Sequence, residues 1–247
     1  DHLARRGTPG SVETVFMPTW YRIQYEIFGT PRVSIIILNH DHAGDLRKGV
    51  SSILEKSTWQ HYELLIVENN SKEPETFQLY EELKKRDARV RIVEWNHPFN
   101  YSQVNNWAAA QASGEILLFL NNDIEVITPD WLEQMLMHAV RSEVGSVGAK
   151  LYFPNNTIQH AGVILGIGDV AGHGHKGFPR KMVGHGVSRD FAGGLCLGDD
   201  IQEVSPLRVT EEILDVSRQP VFNAALSLLG VRLEGGRQGL HDFCFHG

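Results

Sequence analysis

Cysteine is scarce: the 247 residues hold two, Cys196 and Cys244. Two thiols cannot make a disulfide framework, and their spacing matches no metal-ligand pattern. Basic charge is in deficit as well. Lys and Arg total 23 against 30 Asp and Glu, a net charge of −7. A polyanion-binding surface needs the opposite balance, which excludes nucleic acid as the main partner but leaves room for a local phosphate pocket. No window reaches the ~18 uninterrupted apolar residues of a membrane span. Internal repeats and low-complexity tracts are absent. The first residue is Asp1, with no charged n-region or apolar h-region after it, so a piece of a longer, multidomain chain is expected.

What is present is ordinary globular composition: 42% hydrophobic, 21% charged and 9% aromatic. It excludes collagen, wholesale disorder and coiled coil. At ~100–200 residues per domain, the length fits one large domain or two small ones.

A rhythm begins after Pro31. Val33 to Leu38 is a short apolar run, the mark of a strand buried on both faces. Leu46, Val50, Ile53 and Leu54 recur at helical spacing. Tyr62 to Val67 reads as a second strand. Pro74 can open a helix with Phe77, Tyr80 and Leu83 as its apolar stripe. Val90 to Val93 is a third, weaker strand. Ser102 can cap a helix over residues 103–112, with Gly114 as its stop. Ile116 to Leu120 is the strongest strand. Thr128-Pro129-Asp130 reads as a helix start, and Leu132, Met135, Leu136 and Ala139 as that helix's buried face. Val144 to Tyr152 reads as one more strand. Alternation of this kind predicts an α/β domain with a mostly parallel central sheet flanked by helices.

The two ends differ. Residues 1–31 read as a lead-in or linker with one strand suggested by Trp20, Tyr21, Ile23, Tyr25 and Ile27. Eleven of the 24 glycines and four of the 12 histidines fall within residues 160–198, a loop-rich stretch. Residues 199–247 lose the rhythm; segments 211–216 and 221–229 could be helices, but nothing links them to a sheet.

In open parallel sheets, ligands sit beyond the carboxyl ends of the strands. Three polar clusters stand there: Asn39-His40-Asp41 after the first strand, Glu68-Asn69-Asn70-Ser71 after the second, and Asn121-Asn122-Asp123 after the fourth. One such cluster is turn chemistry. Three at one sheet edge point to a ligand.

These residues also resemble a family. Pro31 to Ile37, Leu65 to Ser71, Phe99-Asn100-Tyr101-Ser102 with Asn105-Asn106, Ala112 to Glu115, Leu120 to Val126, Asp130-Trp131-Leu132, Val147 to Leu151 and Gln159-His160-Ala161-Gly162 together resemble family 2 glycosyltransferases of the GT-A fold, nearest to the bacterial enzymes of O-antigen and surface-polysaccharide synthesis. The likeness runs over about residues 20–190, in order. It implies a GT-A domain over residues 32–198 and an atypical, truncated or degraded acceptor half over 199–247.

By that resemblance the chain is an inverting enzyme that moves a sugar from a UDP- or dTDP-linked donor to a polysaccharide or lipid-linked glycan. It would act in the cytoplasm, with peripheral association at the inner face of the membrane. Glu68 stands where the family reads the nucleobase, and a carboxylate can accept an imide N–H. Asn39, Asp41, Asn70, Asn105, Asn121 and Asn122 are implied to line the nucleotide pocket, and His160 the acceptor side. The family's Asp-any-Asp metal motif corresponds to Asn121-Asn122-Asp123, which leaves Asp123 as the anchor for Mn²⁺ or Mg²⁺, hard cations that prefer oxygen. The family's general base is the first Asp of a later motif. The only trace here is His241-Asp242-Phe243-Cys244, which puts Leu240 in the base position and leaves Asp242 as a weak catalytic candidate. Two alternatives follow: a non-catalytic nucleotide-sugar-binding domain, and a nucleotidyltransferase. The second would show a Gly-rich signature after the first strand, where Asn39-His40-Asp41-His42 stands instead.

Overall fold

The computed structural model describes residues 2–14, 21–142, 144, 146–165, 171–180, 205–206 and 229–232. In chain order the elements are α1 (His2–Arg6), β1 (Gly10–Thr14), β2 (Tyr21–Tyr25), β3 (Val33–Asn39), α2 (Ala43–Lys56), β4 (Tyr62–Glu68), α3 (Pro74–Arg86), β5 (Val90–Glu94), α4 (Tyr101–Gln111), β6 (Ile116–Leu120) and α5 (Trp131–Ala139). Short strands follow: β7 (Ser146–Gly148), β8 (Leu151–Tyr152), β9 (Ile158–His160), β10 (Val163–Leu165), β11 (Ala171–His173), β12 (Ser205–Pro206) and β13 (Leu229–Arg232).

Among the described residues, the main sheet has seven strands in the order β12-β7-β13-β6-β3-β4-β5. β3 pairs in parallel with both β4 and β6, and β4 pairs in parallel with β5. Both faces are covered, so the strands are apolar at nearly every position. Ile35, Ile37, Leu64, Ile66, Leu118 and Leu120 pack with α2, α3 and α5 on one face. Ile36, Leu65, Val67, Leu117 and Phe119 meet Val104, Ala108 and Ala109 of α4 on the other. Side chains alternate across a strand, so one continuous apolar run supplies both layers.

Several local expectations change. Phe77 is 45% exposed; the buried face of α3 is Thr76, Leu79, Tyr80 and Leu83. Helix α4 is capped by Asn100, whose side chain accepts the Gln103 N–H at 3.0 Å, and not by Ser102, which lies inside the helix. Gly114 is not the helix stop. A Cβ there would stand 2.6 Å from the Arg32 carbonyl and 2.8 Å from the Ser34 nitrogen, so its glycine is required by close backbone approach. The Thr128-Pro129-Asp130 start shifts to Trp131: Asp130 accepts from Gln134 Nε2, and the Pro129 carbonyl is taken by Thr58. The single strand read over 144–152 is two, β7 in the main sheet and β8 in a separate pair with β9.

The ends also gain structure. Within residues 1–31, β1 and β2 form an antiparallel hairpin. It docks on α5: the Tyr25 and His138 rings meet edge-on at 5.4 Å, and the Arg141 guanidinium lies 4.1 Å over Tyr25. In the tail, β13 inserts antiparallel between β6 and β7, and β12 joins β7. The sequence reading placed no strand at either position; residues 211–216 and 221–228 of its possible helices lie outside the described residues. The pairing is long-range, and four residues leave no periodic signal in the sequence.

Candidate functional site

Register fixes the site. In the parallel ladder Asn39 pairs with Glu68, and Glu68 with Glu94. Ile37 pairs with Leu120, so the chain leaving β6 arrives beside Asn39. There the Asn122 Nδ2 donates to Asn39 Oδ1 at 2.8 Å. The Asn39 amide in turn donates to the Tyr80 hydroxyl at 2.9 Å and to the Asp41 carbonyl at 3.0 Å. Tyr80 donates to Glu68 Oε2 at 2.5 Å, and Ser71 donates to the same carboxylate through its hydroxyl and its backbone N–H. One buried hydrogen-bonded network therefore joins the ends of β3, β4 and β6. Asn39 is 2% exposed and Glu68 4%. Burial and then the adjacent Glu68 carboxylate push the Tyr80 phenol well above its ordinary range.

Asp41 closes the network. It sits in the left-handed region at φ 55°, a conformation that Asp tolerates better than most residues. Its N–H donates to the Ser71 hydroxyl, and its Oδ1 accepts from the N–H groups of Lys72 and Glu73 at the start of α3. These backbone donors, Glu73 first, hold the carboxyl below its usual value, with smaller help from His40 and His42. Asp41 is thus an anchor for the 68–74 turn. The Asn69 and Asn70 amides bind the carbonyls of Trp95 and His97, which brings the loop after β5 into the same wall. That loop borders an open groove of about 420 Å³ lined by Trp95, His97, Pro98, Phe99, Asn100 and Gln103.

Asn105 is buried on α4 and donates to the Tyr101 carbonyl. With Tyr101, Asn121 and Asn122 it lines a small cavity of about 50 Å³ under the end of β6. Burial pushes the Tyr101 hydroxyl up to about 12. Asn121 and Asp123 are exposed beside this cavity. Among the described residues, no hydrogen bond or ion pair engages the Asp123 carboxylate, whereas its neighbour Glu125 is paired with Lys56 at 2.9 Å. His160 is buried on β9, in the small β8–β9 sheet and not at a strand end of the main sheet. Asp242 lies outside the described residues.

The sequence reading therefore has Asn39, Asp41, Glu68, Asn70, Asn121, Asn122 and Asp123 at one edge. It missed Tyr80, which it assigned to a plain apolar stripe. The available signal was a tyrosine, not a phenylalanine, at a core-facing helical position: a buried phenol finds a partner.

The main sheet, crossed by helices on both faces and carrying its polar edge at the carboxyl ends of three parallel strands, is a GT-A-type α/β domain. The chain belongs to glycosyltransferase family 2, whose model matches residues 34–181. It is 51% identical over 173 residues to the O-antigen biosynthesis protein RfbC of Myxococcus xanthus, a match covering 70% of this chain and 13% of RfbC. It is 46% identical over 187 residues to the uncharacterized protein y4gI of Sinorhizobium fredii, covering 75% of this chain and 20% of that protein. The chain thus spans a fifth or less of the length of these curated relatives. Among solved structures, the mannosyltransferase PcManGT from Pyrobaculum calidifontis, in complex with GDP-Man and Mn²⁺, aligns with a TM-score of 0.47 and 18% identity over 59% of this chain and 40% of that one. Among the described residues, no helix is long and apolar enough to cross a membrane.

Proposed function

We propose that this chain is the donor-binding domain of an inverting glycosyltransferase that transfers a sugar from a UDP- or dTDP-linked donor to a polysaccharide or lipid-linked glycan. The observation that carries the reading is the contrast at the sheet edge: Glu68 and Asp41 are held in place by internal donors, and Asp123 is left exposed and unengaged beside them. Such an edge has a rigid polar wall with the free Asp123 carboxylate beside it. It suits a nucleoside against the wall and a charged diphosphate toward Asp123.

The donor set fits a hard divalent cation. Asp123 offers carboxylate oxygen and Asn121 amide oxygen. No group of three or more His, Cys, Asp or Glu gathers among the described residues, so donor phosphates would complete the shell. Asp123 would hold Mn²⁺ or Mg²⁺, with Asn121 beside it. Bound there, the ion would neutralise charge on the departing nucleoside diphosphate.

The chain's own residues do the rest. Glu68 accepts three hydrogen bonds of the roughly four that a carboxylate can take. One acceptor position remains for the imide N–H of uracil or thymine. Asn39 and Asn122 hold β3 and the 121–123 turn together, so nucleoside wall and free carboxylate stay at a fixed offset. Inversion needs a base beside the acceptor hydroxyl. Asp242 is the weak candidate, and Leu240 in the family's base position favours a second reading, a domain that binds donor without turning it over.

The test is nucleotide release. The full chain is incubated with UDP- and dTDP-sugars, Mn²⁺ and a glycan acceptor extract. Acceptor-dependent release supports transfer. Saturable donor binding with no release supports the second reading. Neither binding nor release refutes both.

A further inference from the structure

One face of α2 holds the Asp123 turn. At Gly49 a Cβ would stand 2.8 Å from the Ile124 carbonyl oxygen and 3.2 Å from that of Asn122, the two residues that flank Asp123. The turn therefore lies directly on the helix backbone, and only glycine leaves the room. Three residues on, Ser52 is buried; its hydroxyl donates to the Gly49 carbonyl at 2.8 Å and accepts the Val126 N–H at 2.9 Å. Four residues further, Lys56 Nζ donates to the Val126 carbonyl at 2.8 Å and to Glu125 Oε1 at 2.9 Å. Positions 49, 52 and 56 share one helical face. Each engages the 122–126 segment at a different point: a steric floor, a backbone N–H, and a carbonyl with an acidic side chain.

We infer that the Gly49–Ser52–Lys56 stripe of α2 is the positioning element of the metal-binding turn, fixing the backbone around Asp123 and withdrawing Glu125 from the site. The inference rests on the proposed role of Asp123. It adds that affinity for the cation is set by residues that never touch it. Without Lys56, Glu125 would stand as a second free carboxylate two residues from Asp123, and the Val126 carbonyl would lose its tie. With a methyl at position 49, the turn must lift off the helix. Groups one shell out from a metal typically change its affinity by about 10–100-fold when removed.

Two measurements on the full chain separate this from the metal assignment. The first is amide hydrogen exchange without any ligand. Ser52→Ala and Lys56→Met are expected to speed exchange across residues 122–126, with Val126 most affected in Ser52→Ala, while β3 and β4 stay protected. Unchanged exchange in this segment overturns the grip, whatever the turn binds. The second is Mn²⁺ titration by electron paramagnetic resonance at saturating uridine diphosphate. Gly49→Ala and Ser52→Ala, neither of which alters the charge near the site, are expected to raise half-saturating Mn²⁺ by about tenfold or more. Should Gly49→Ala fail to fold, Ser52→Ala, which removes a single hydroxyl, decides alone. Wild-type Mn²⁺ affinity in a folded Ser52→Ala, alongside loss in Asp123→Ala, overturns the inference and spares the metal assignment. Wild-type affinity in Asp123→Ala overturns both.

Discussion

Tyr80→Phe removes one oxygen from the protein and two bonds from the network. The phenol donates to the buried Glu68 carboxylate and accepts from the buried Asn39 amide. A hydrogen bond to a charged group is worth about 1.5–3 kcal/mol and a neutral one about 0.5–1.5, so the loss should total about 2–4 kcal/mol. The ring keeps its place in the core, edge-on to Phe77, so no large cavity opens. For a domain of this size each kcal/mol moves the melting temperature by about 2–4 °C, so a fall of roughly 5–15 °C is expected, with the chain still folded. Urea unfolding at pH 7 measures it. Pairing the change with Glu68→Gln in a double-mutant cycle isolates the bond itself, with an expected coupling of about 1–3 kcal/mol. The amide introduced by Glu68→Gln can present a donor where the carboxylate now accepts from Tyr80, so the phenol must turn. Additive effects within about 0.5 kcal/mol, or a Tyr80→Phe chain as stable as wild type, would refute the network as the tie between the strand ends.

The opposite end of the parallel strands carries a pH signature. Burial alone would raise the Glu63 carboxyl, but bonds from the Ser34 hydroxyl, the Ser113 N–H, Arg91 and the Ser113 hydroxyl outweigh it and hold the pKa at about 2, against 4.5 ordinarily. A depressed carboxylate stabilises the fold above its unfolded pKa, and that contribution fades as pH falls from about 4.5 toward 2. The shift corresponds to about 3 kcal/mol, or about 1–2 after discounting for solvent screening at Arg91, which is 44% exposed. Urea midpoints between about pH 6 and 3 should flatten by nearly one proton in Glu63→Gln; an unchanged slope contradicts this. Asn100→Ala removes the α4 cap and should cost about 1 kcal/mol by urea unfolding, whereas Ser102 has no capping role to lose. Equal stability in Asn100→Ala would return the cap to another residue.

Elements buried on both sides were the most legible. Val33 to Leu38, Tyr62 to Val67 and Ile116 to Leu120 are apolar because helices cover both faces, and that signal is local. The polar strand ends were legible for the same reason, since a run of Asn, Asp and Glu stops each apolar run. What lay hidden depends on partners far along the chain. Tyr80 reads as core until Glu68 and Asn39 are placed against it. Gly49 reads as an indifferent helical residue until Asn122 and Ile124 arrive above it. Pro129 promises a helix start, yet Thr58, distant in sequence, takes its carbonyl and the helix begins at Trp131. The alternation of Tyr21, Ile23 and Tyr25 did suggest β2, whereas its partner β1 and the short β13 are held by pairing, with no periodic apolar face to announce them.

The central claim is that the strand-end network and Asp123 together hold a nucleoside diphosphate with a divalent cation. Calorimetric titration of the full chain with uridine and thymidine diphosphates, with and without Mn²⁺, tests it most directly. Binding of at least one nucleotide, tightened by Mn²⁺ in the wild type and left at its metal-free strength in Asp123→Ala, is the predicted result. No binding of either nucleotide, or tightening by Mn²⁺ that survives Asp123→Ala, would contradict it.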